Sequence, residues 1–127
     1  MRERRIKLPP PCELLRLRSA TILKDMYSPD FFDAVMGSPP YLACRTYGEK
    51  DIARALDEWL TFMEMATHAA LDVCKGPVIW VVAGTGSSNY IPGPEMLLAR
   101  MYGQKGVHIL RPNIWAKNSP PTGKGWF

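Results

Sequence analysis

Histidine and cysteine are scarce in this chain. Among its 127 residues there are two histidines, His68 and His108, and three cysteines, Cys12, Cys44 and Cys74. The cysteines are odd in number, far apart and form no C-x-x-C pair, which excludes a zinc knuckle and a dithiol redox centre. Free thiols in a reducing cytoplasm are expected instead. Neither histidine has a second histidine or a carboxylate at metal-ligand or triad spacing, so both read as surface or packing residues. No apolar run reaches the roughly 20 residues of a membrane span. The basic N-terminus is followed by no apolar core and small-residue cleavage site, so no secretory signal is evident. A Walker loop is excluded because no Gly-Lys-Ser/Thr follows Gly84-Thr85-Gly86-Ser87. The dinucleotide fingerprint fails at Asn89, where its third glycine belongs.

Acid is also missing from one region. Residues 96–127 carry five Lys/Arg and no Asp or Glu, while residues 1–24 carry seven Lys/Arg against two acids. The stretch between, 25–95, holds ten acids against four Lys/Arg. The net charge of +4 thus divides into basic ends and an acidic middle. Basic segments of this kind suit phosphate contact, and equally suit ordinary solvated faces. Apolar content of 46% is ample for a core, and the length allows at most one domain.

The hydrophobic pattern alternates in period. Residues 14–23 are apolar but ambiguous, and residues 32–37 read as a buried strand. From Lys50 to Cys74 the pattern predicts a helix, with Ile52, Leu56, Trp59, Met63, Ala66, Ala70 and Val73 on one stripe. Lys75-Gly76-Pro77 stops it. Val78 to Ala83 is a continuous apolar run of strand length, the mark of a central parallel strand. Pro94 opens a second helix, and Gly103 and Gly106 bracket its end. Val107 to Lys117 reads as a third strand bent at Pro112. Strand, helix, strand, helix, strand predicts an α/β fold, part of a doubly wound Rossmann-like sheet. The organisation expected is a basic N-terminal segment, 1–24, and an α/β segment, 25–127, which the resemblance described below implies to be a partial catalytic domain.

Ser38-Pro39-Pro40-Tyr41 is the most informative stretch. It follows the apolar run Phe31 to Gly37. Two prolines fix φ and donate no backbone hydrogen bonds, so the strand must stop and a rigid, extended tetrapeptide must leave its C-terminal end. Its carbonyls are expected to be acceptors with no donors beside them. A hydroxyl lies at one end and an aromatic face at the other. In an open α/β sheet, ligands bind outside the carboxyl ends of strands. A planar group bearing an NH2 fits such a corner, with oxygens accepting from the amine and the ring stacking on Tyr41. The same tetrapeptide in a linker would be no more than a polyproline stretch.

Asp33-Ala34-Val35-Met36-Gly37-Ser38-Pro39-Pro40-Tyr41 resembles motif IV of the amino-methylating DNA methyltransferases, which modify cytosine N4 or adenine N6. Glu58-Trp59-Leu60, the segment Gly76 to Gly84 and the segment Arg111 to Asn118 follow in the order seen in bacterial and phage members, including those of restriction–modification systems. The last segment is similar to the family's motif VIII. The resemblance covers about residues 30 to 127.

It implies methyl transfer from S-adenosylmethionine to the exocyclic amine of a base flipped out of double-stranded DNA. Ser38, Pro39, Pro40 and Tyr41 would be the catalytic corner. Tyr41, Arg45, Trp115 and Lys117 would contact the base or its phosphate, and Gly37, Ser38 and Gly84 would approach the cofactor. Serine at the head of the motif is closer to the cytosine-N4 enzymes than to the adenine-N6 ones. The family's Phe-x-Gly-x-Gly cofactor loop and acidic ribose clamp have no counterpart here. The chain is therefore expected to be an N-terminal part, completed by a C-terminal half or a partner chain, and to bind S-adenosylmethionine weakly by itself. Cys12, after Pro9-Pro10-Pro11, lacks the preceding strand that a cytosine-C5 nucleophile needs, and amine methylation requires no covalent thiolate. Two other functions fit the same residues: a non-catalytic nucleic-acid-binding or subunit module, and an amine methyltransferase acting on RNA or protein.

Overall fold

The computed structural model describes residues 19–42, 55–85 and 90–114. Its centre is a strand–helix–strand unit. Strand β1 (Val35–Gly37) and strand β2 (Val78–Trp80) run parallel in one sheet, with Val35 opposite Val78, Met36 opposite Ile79 and Gly37 opposite Trp80. Parallel neighbours cannot be joined by a tight turn, and the 18-residue helix α2 (Leu56–Val73) lies on the connection. A 3-10 turn at Ala20–Ile22 runs into the short helix α1 (Leu23–Met26) before the sheet, and helix α3 (Gly93–Met101) follows it.

Helix α2 forms where the 3.6-residue stripe lies. Trp59, Leu60, Met63, Ala66, Ala69, Ala70 and Val73 are buried. The expected stripe is thus present from Trp59 onward and widened by Leu60 and Ala69, because α2 is packed by the N-terminal turn, α3 and β2 together. Asp57 and Glu58 in its first turn complement the helix dipole. The helix ends at Cys74, next to the predicted stop. There the chain is fastened to the approach to β1: Phe32 N–H donates to the Val73 carbonyl (2.9 Å) and Lys75 N–H to that of Phe32 (3.0 Å). The rings of Tyr27, Phe31 and Phe32 meet at centroid distances of 4.7 to 4.9 Å beside this junction.

The sheet has two unlike faces. Val35, Gly37, Val78 and Trp80 are half-buried, and Trp80 donates from Nε1 to Thr67 of α2 (2.9 Å). Met36 and Ile79, opposite each other on the other face, are exposed. The core proper joins Leu42, Trp59, Leu60, Met63, Leu97 and Met101.

The third strand expected from Val107 onward is not formed among the described residues. Residues 107–114 enter no ladder. Residues 107–110 keep a strand-like alternation, with Val107 and Ile109 packed against the core and His108 and Leu110 exposed, and residues 111–114 are all exposed. Alternation reports which side meets the core, while a strand also needs a backbone neighbour, and no described strand lies alongside. Residues 115–117 of that expected strand, like 50–54 of the expected helix and 14–18 of the first apolar stretch, lie outside the described residues.

Candidate functional site

Both strands release their chains at the same, carboxyl edge of the sheet. Val81 N–H donates to the Gly37 carbonyl (2.9 Å), extending the pairing past the end of β2. The Ser38-Pro39-Pro40-Tyr41 corner follows β1, and the segment 81–85 follows β2.

Two features of the core hold the corner. Leu42, next after Tyr41, is buried among Trp59, Leu60 and Met63. Trp59, 1% exposed, donates from its indole Nε1 to the Pro40 carbonyl at 2.7 Å. The expectation that the motif's carbonyls have no donors beside them is therefore corrected at Pro40. A buried indole N–H must find an acceptor, and a carbonyl that no neighbouring amide can reach is a suitable one. Ser38 is exposed, while Pro39, Pro40 and Tyr41 are half-buried. Among the described residues the Ser38 hydroxyl and the Pro39 carbonyl enter no hydrogen bond. The corner thus offers two adjacent oxygens, Ser38 Oγ and Pro39 O, on a backbone whose next carbonyl is tied to the core.

The glycines expected near a cofactor have their Cβ sides filled from within the chain. At Gly37 a Cβ would lie 2.9 Å from the Trp80 ring. At Gly84 it would collide with the ring and hydroxyl of Tyr90. The Gly37 carbonyl is also taken, by the Val81 N–H.

Tyr90 is itself well placed. Its hydroxyl donates to Glu95 Oε1 in the first turn of α3 (3.0 Å), and that bond raises the phenol above its ordinary range. Thr85 and Ile91 form an antiparallel bridge, each N–H donating to the other's carbonyl with N to O distances of 3.1 and 2.6 Å. Thr85 is buried, and its hydroxyl has no hydrogen-bond partner among the described residues.

On the far side of α2, the Gln104 amide donates to Glu64 Oε1 (2.9 Å) and to the Arg100 carbonyl (2.9 Å), while its oxygen lies 2.6 Å from His68 Nε2. Glu64 also pairs with Arg100 at 3.2 Å. His68 is thus a packing residue that ties α2 to the end of α3. At the sheet's opposite edge, Lys75 Nζ lies 2.8 Å from Asp33 Oδ1. The hydrogen bond and charge of Lys75 lower the Asp33 carboxyl below its ordinary value.

Of the residues the sequence singled out, Ser38, Pro39, Pro40 and Tyr41 are held together at the carboxyl edge with Gly37. Gly84 follows the adjacent strand. Arg45, Trp115 and Lys117 lie outside the described residues. Sequence reasoning placed Trp59 on the core stripe and missed its bond to Pro40. It also missed Tyr90 and Glu95, for which Pro94 at the helix start and an acid in the first turn were the available signal.

Compared with known proteins, the chain matches no family model, and no curated protein or solved structure was found to be similar to it. Among the described residues no helix is long and apolar enough to cross a membrane.

Proposed function

We propose that the corner at residues 38–41 receives the exocyclic amine of a nucleobase in DNA, and that the chain contributes this base site to an amino-methylating DNA methyltransferase of the cytoplasm. The observation that carries the reading is the pair of unengaged oxygens at Ser38 and Pro39 beside Tyr41, on a backbone pinned by Trp59.

An exocyclic amine is a poor nucleophile because its lone pair is delocalised into the ring. Ser38 Oγ and the Pro39 carbonyl accept hydrogen bonds from its two N–H groups, which localises the lone pair and disperses positive charge as the amine is alkylated, and the alkylated amine then loses one proton to solvent. Fixed acceptors do this without reorganising, and the Trp59 bond supplies that fixity. Tyr41 stacks on the flipped base and offsets an unstacking cost of a few kcal/mol. S-adenosylmethionine, when bound, supplies the electrophilic methyl group. Ser38 at the head of the motif favours cytosine N4 over adenine N6.

A second reading is favoured by the filled faces of Gly37 and Gly84: a nucleic-acid-binding module or subunit with the same base corner and no transfer of its own.

Label transfer separates them. The chain, completed by the half that carries the cofactor loop, is incubated with DNA and methyl-labelled S-adenosylmethionine, and the nucleosides are identified by mass spectrometry. N4-methylcytosine is the expected product. Methyladenine alone would overturn the choice of base, and 5-methylcytosine would overturn the amine mechanism. DNA binding without label transfer would favour the second reading.

A further inference from the structure

We propose that Tyr90 is a second aromatic seat for a nucleobase at the carboxyl edge of the sheet, opposite the 38–41 corner in chain order and acting on the same ligand class. This rests on the reading of that corner as a base site.

Three constraints hold Tyr90. Its ring covers Gly84, where any side chain would displace it. Its hydroxyl is tied to Glu95 at the start of α3. Its neighbour Ile91 is clamped to Thr85 by two backbone hydrogen bonds. Yet Tyr90 remains 60% exposed. A free surface tyrosine samples several rotamers, and stacking on it must overcome that freedom. Here the hydroxyl and one side of the ring are committed within the chain and the rest faces solvent, an arrangement that lowers the ordering cost of stacking a planar ligand.

Trp59 relates this feature to the corner. Its indole N–H holds Pro40, while its ring packs on Gly93, at 3.3 Å from where a Cβ would stand. Gly93 begins the helix whose first turn carries Glu95. One buried side chain therefore bears on the segment after β1 and on the segment that anchors Tyr90.

The ligand class is a planar heteroaromatic base. It comes from one of two sources, a DNA strand or the adenosine of the methyl donor, and the test distinguishes them. The full chain is titrated with an end-labelled single-stranded oligonucleotide by fluorescence anisotropy, and with S-adenosylhomocysteine by calorimetry. Tyr90→Ala, Tyr90→Phe and Tyr41→Ala are compared, with melting curves to verify folding.

Tyr90→Ala is expected to weaken oligonucleotide binding about tenfold, within the range for loss of one stacked base. Tyr90→Phe should retain most of the affinity because the π-face remains. Loss confined to S-adenosylhomocysteine would assign the seat to the donor's adenine. If Tyr41→Ala weakens oligonucleotide binding and Tyr90→Ala changes neither ligand, the Tyr90 seat is overturned and the corner stands. Equal loss from Tyr90→Phe and Tyr90→Ala would make the Glu95 bond, not stacking, the contribution of Tyr90, and would also overturn it. Wild-type chain that binds neither ligand would overturn both readings.

Discussion

The indole N–H of Trp59 donates to the carbonyl of Pro40 at 2.7 Å, joining the buried stripe of α2 to the rigid corner that leaves β1. The relationship is reciprocal. Trp59 needs an acceptor because it is buried, and Pro40 is followed by a chain that turns into the core at Leu42. A packing side chain thereby determines the direction of the backbone that carries Ser38 and Pro39.

Trp59→Phe keeps most of the apolar volume and removes the donor. The Pro40 carbonyl is then left without its partner, at a cost of about 1–3 kcal/mol. Denaturant melting should show that loss. Where methyl transfer is measurable, the rate should fall through kcat with KM little changed, because the substitution loosens the acceptors and leaves the stacking face in place. A variant as stable as the wild type would mean that the bond is replaced by water.

Tyr41→Ala should reduce methylation or base binding by about 1–3 kcal/mol, the value of one base stacked on an aromatic ring. Tyr41→Phe should be much milder. Equal effects would assign the role to the hydroxyl.

The Asp33–Lys75 pair gives a pH signature with a definite sign. Lys75 lowers the folded-state pKa of Asp33 below its ordinary value of 3.8. The pair's contribution is therefore fully present above the unfolded-state value and disappears as pH falls through the lowered folded-state one. Both side chains are largely exposed, at 59% and 91%, so salt should weaken the effect. Carboxyl NMR titration of Asp33 should show its midpoint rising toward the ordinary value in Lys75→Met. An unchanged midpoint would place the shift elsewhere.

Thr85→Val replaces a buried hydroxyl, without a partner among the described residues, by a methyl group of similar shape. The variant should be as stable as the wild type or more stable, by up to about 1–3 kcal/mol, the desolvation penalty of an unsatisfied polar group. A clear drop in melting temperature would show that the hydroxyl is satisfied in solution.

Local pattern alone was enough for α2, whose stripe from Trp59 to Val73 repeats at steps of three and four, and for its stop before Gly76. It was enough for the existence of β1 and β2 but not for their burial, since each pairs over three residues and Met36 and Ile79, expected inside buried strands, are exposed. It was enough for the break at Ser38-Pro39-Pro40, since proline excludes a strand by its own geometry. These are properties of single residues and their periods. Tertiary structure decided the rest. Val107 to Leu110 alternates as a strand does, yet a ladder requires a neighbouring backbone that no local pattern supplies. The donor on Pro40 comes from a residue 19 positions away in the chain, and Gly84 meets the side chain of Tyr90, which lies beyond the bridge residue Thr85 in the chain. Such contacts follow from how α2 and α3 pack on the sheet, and packing is a property of the whole chain.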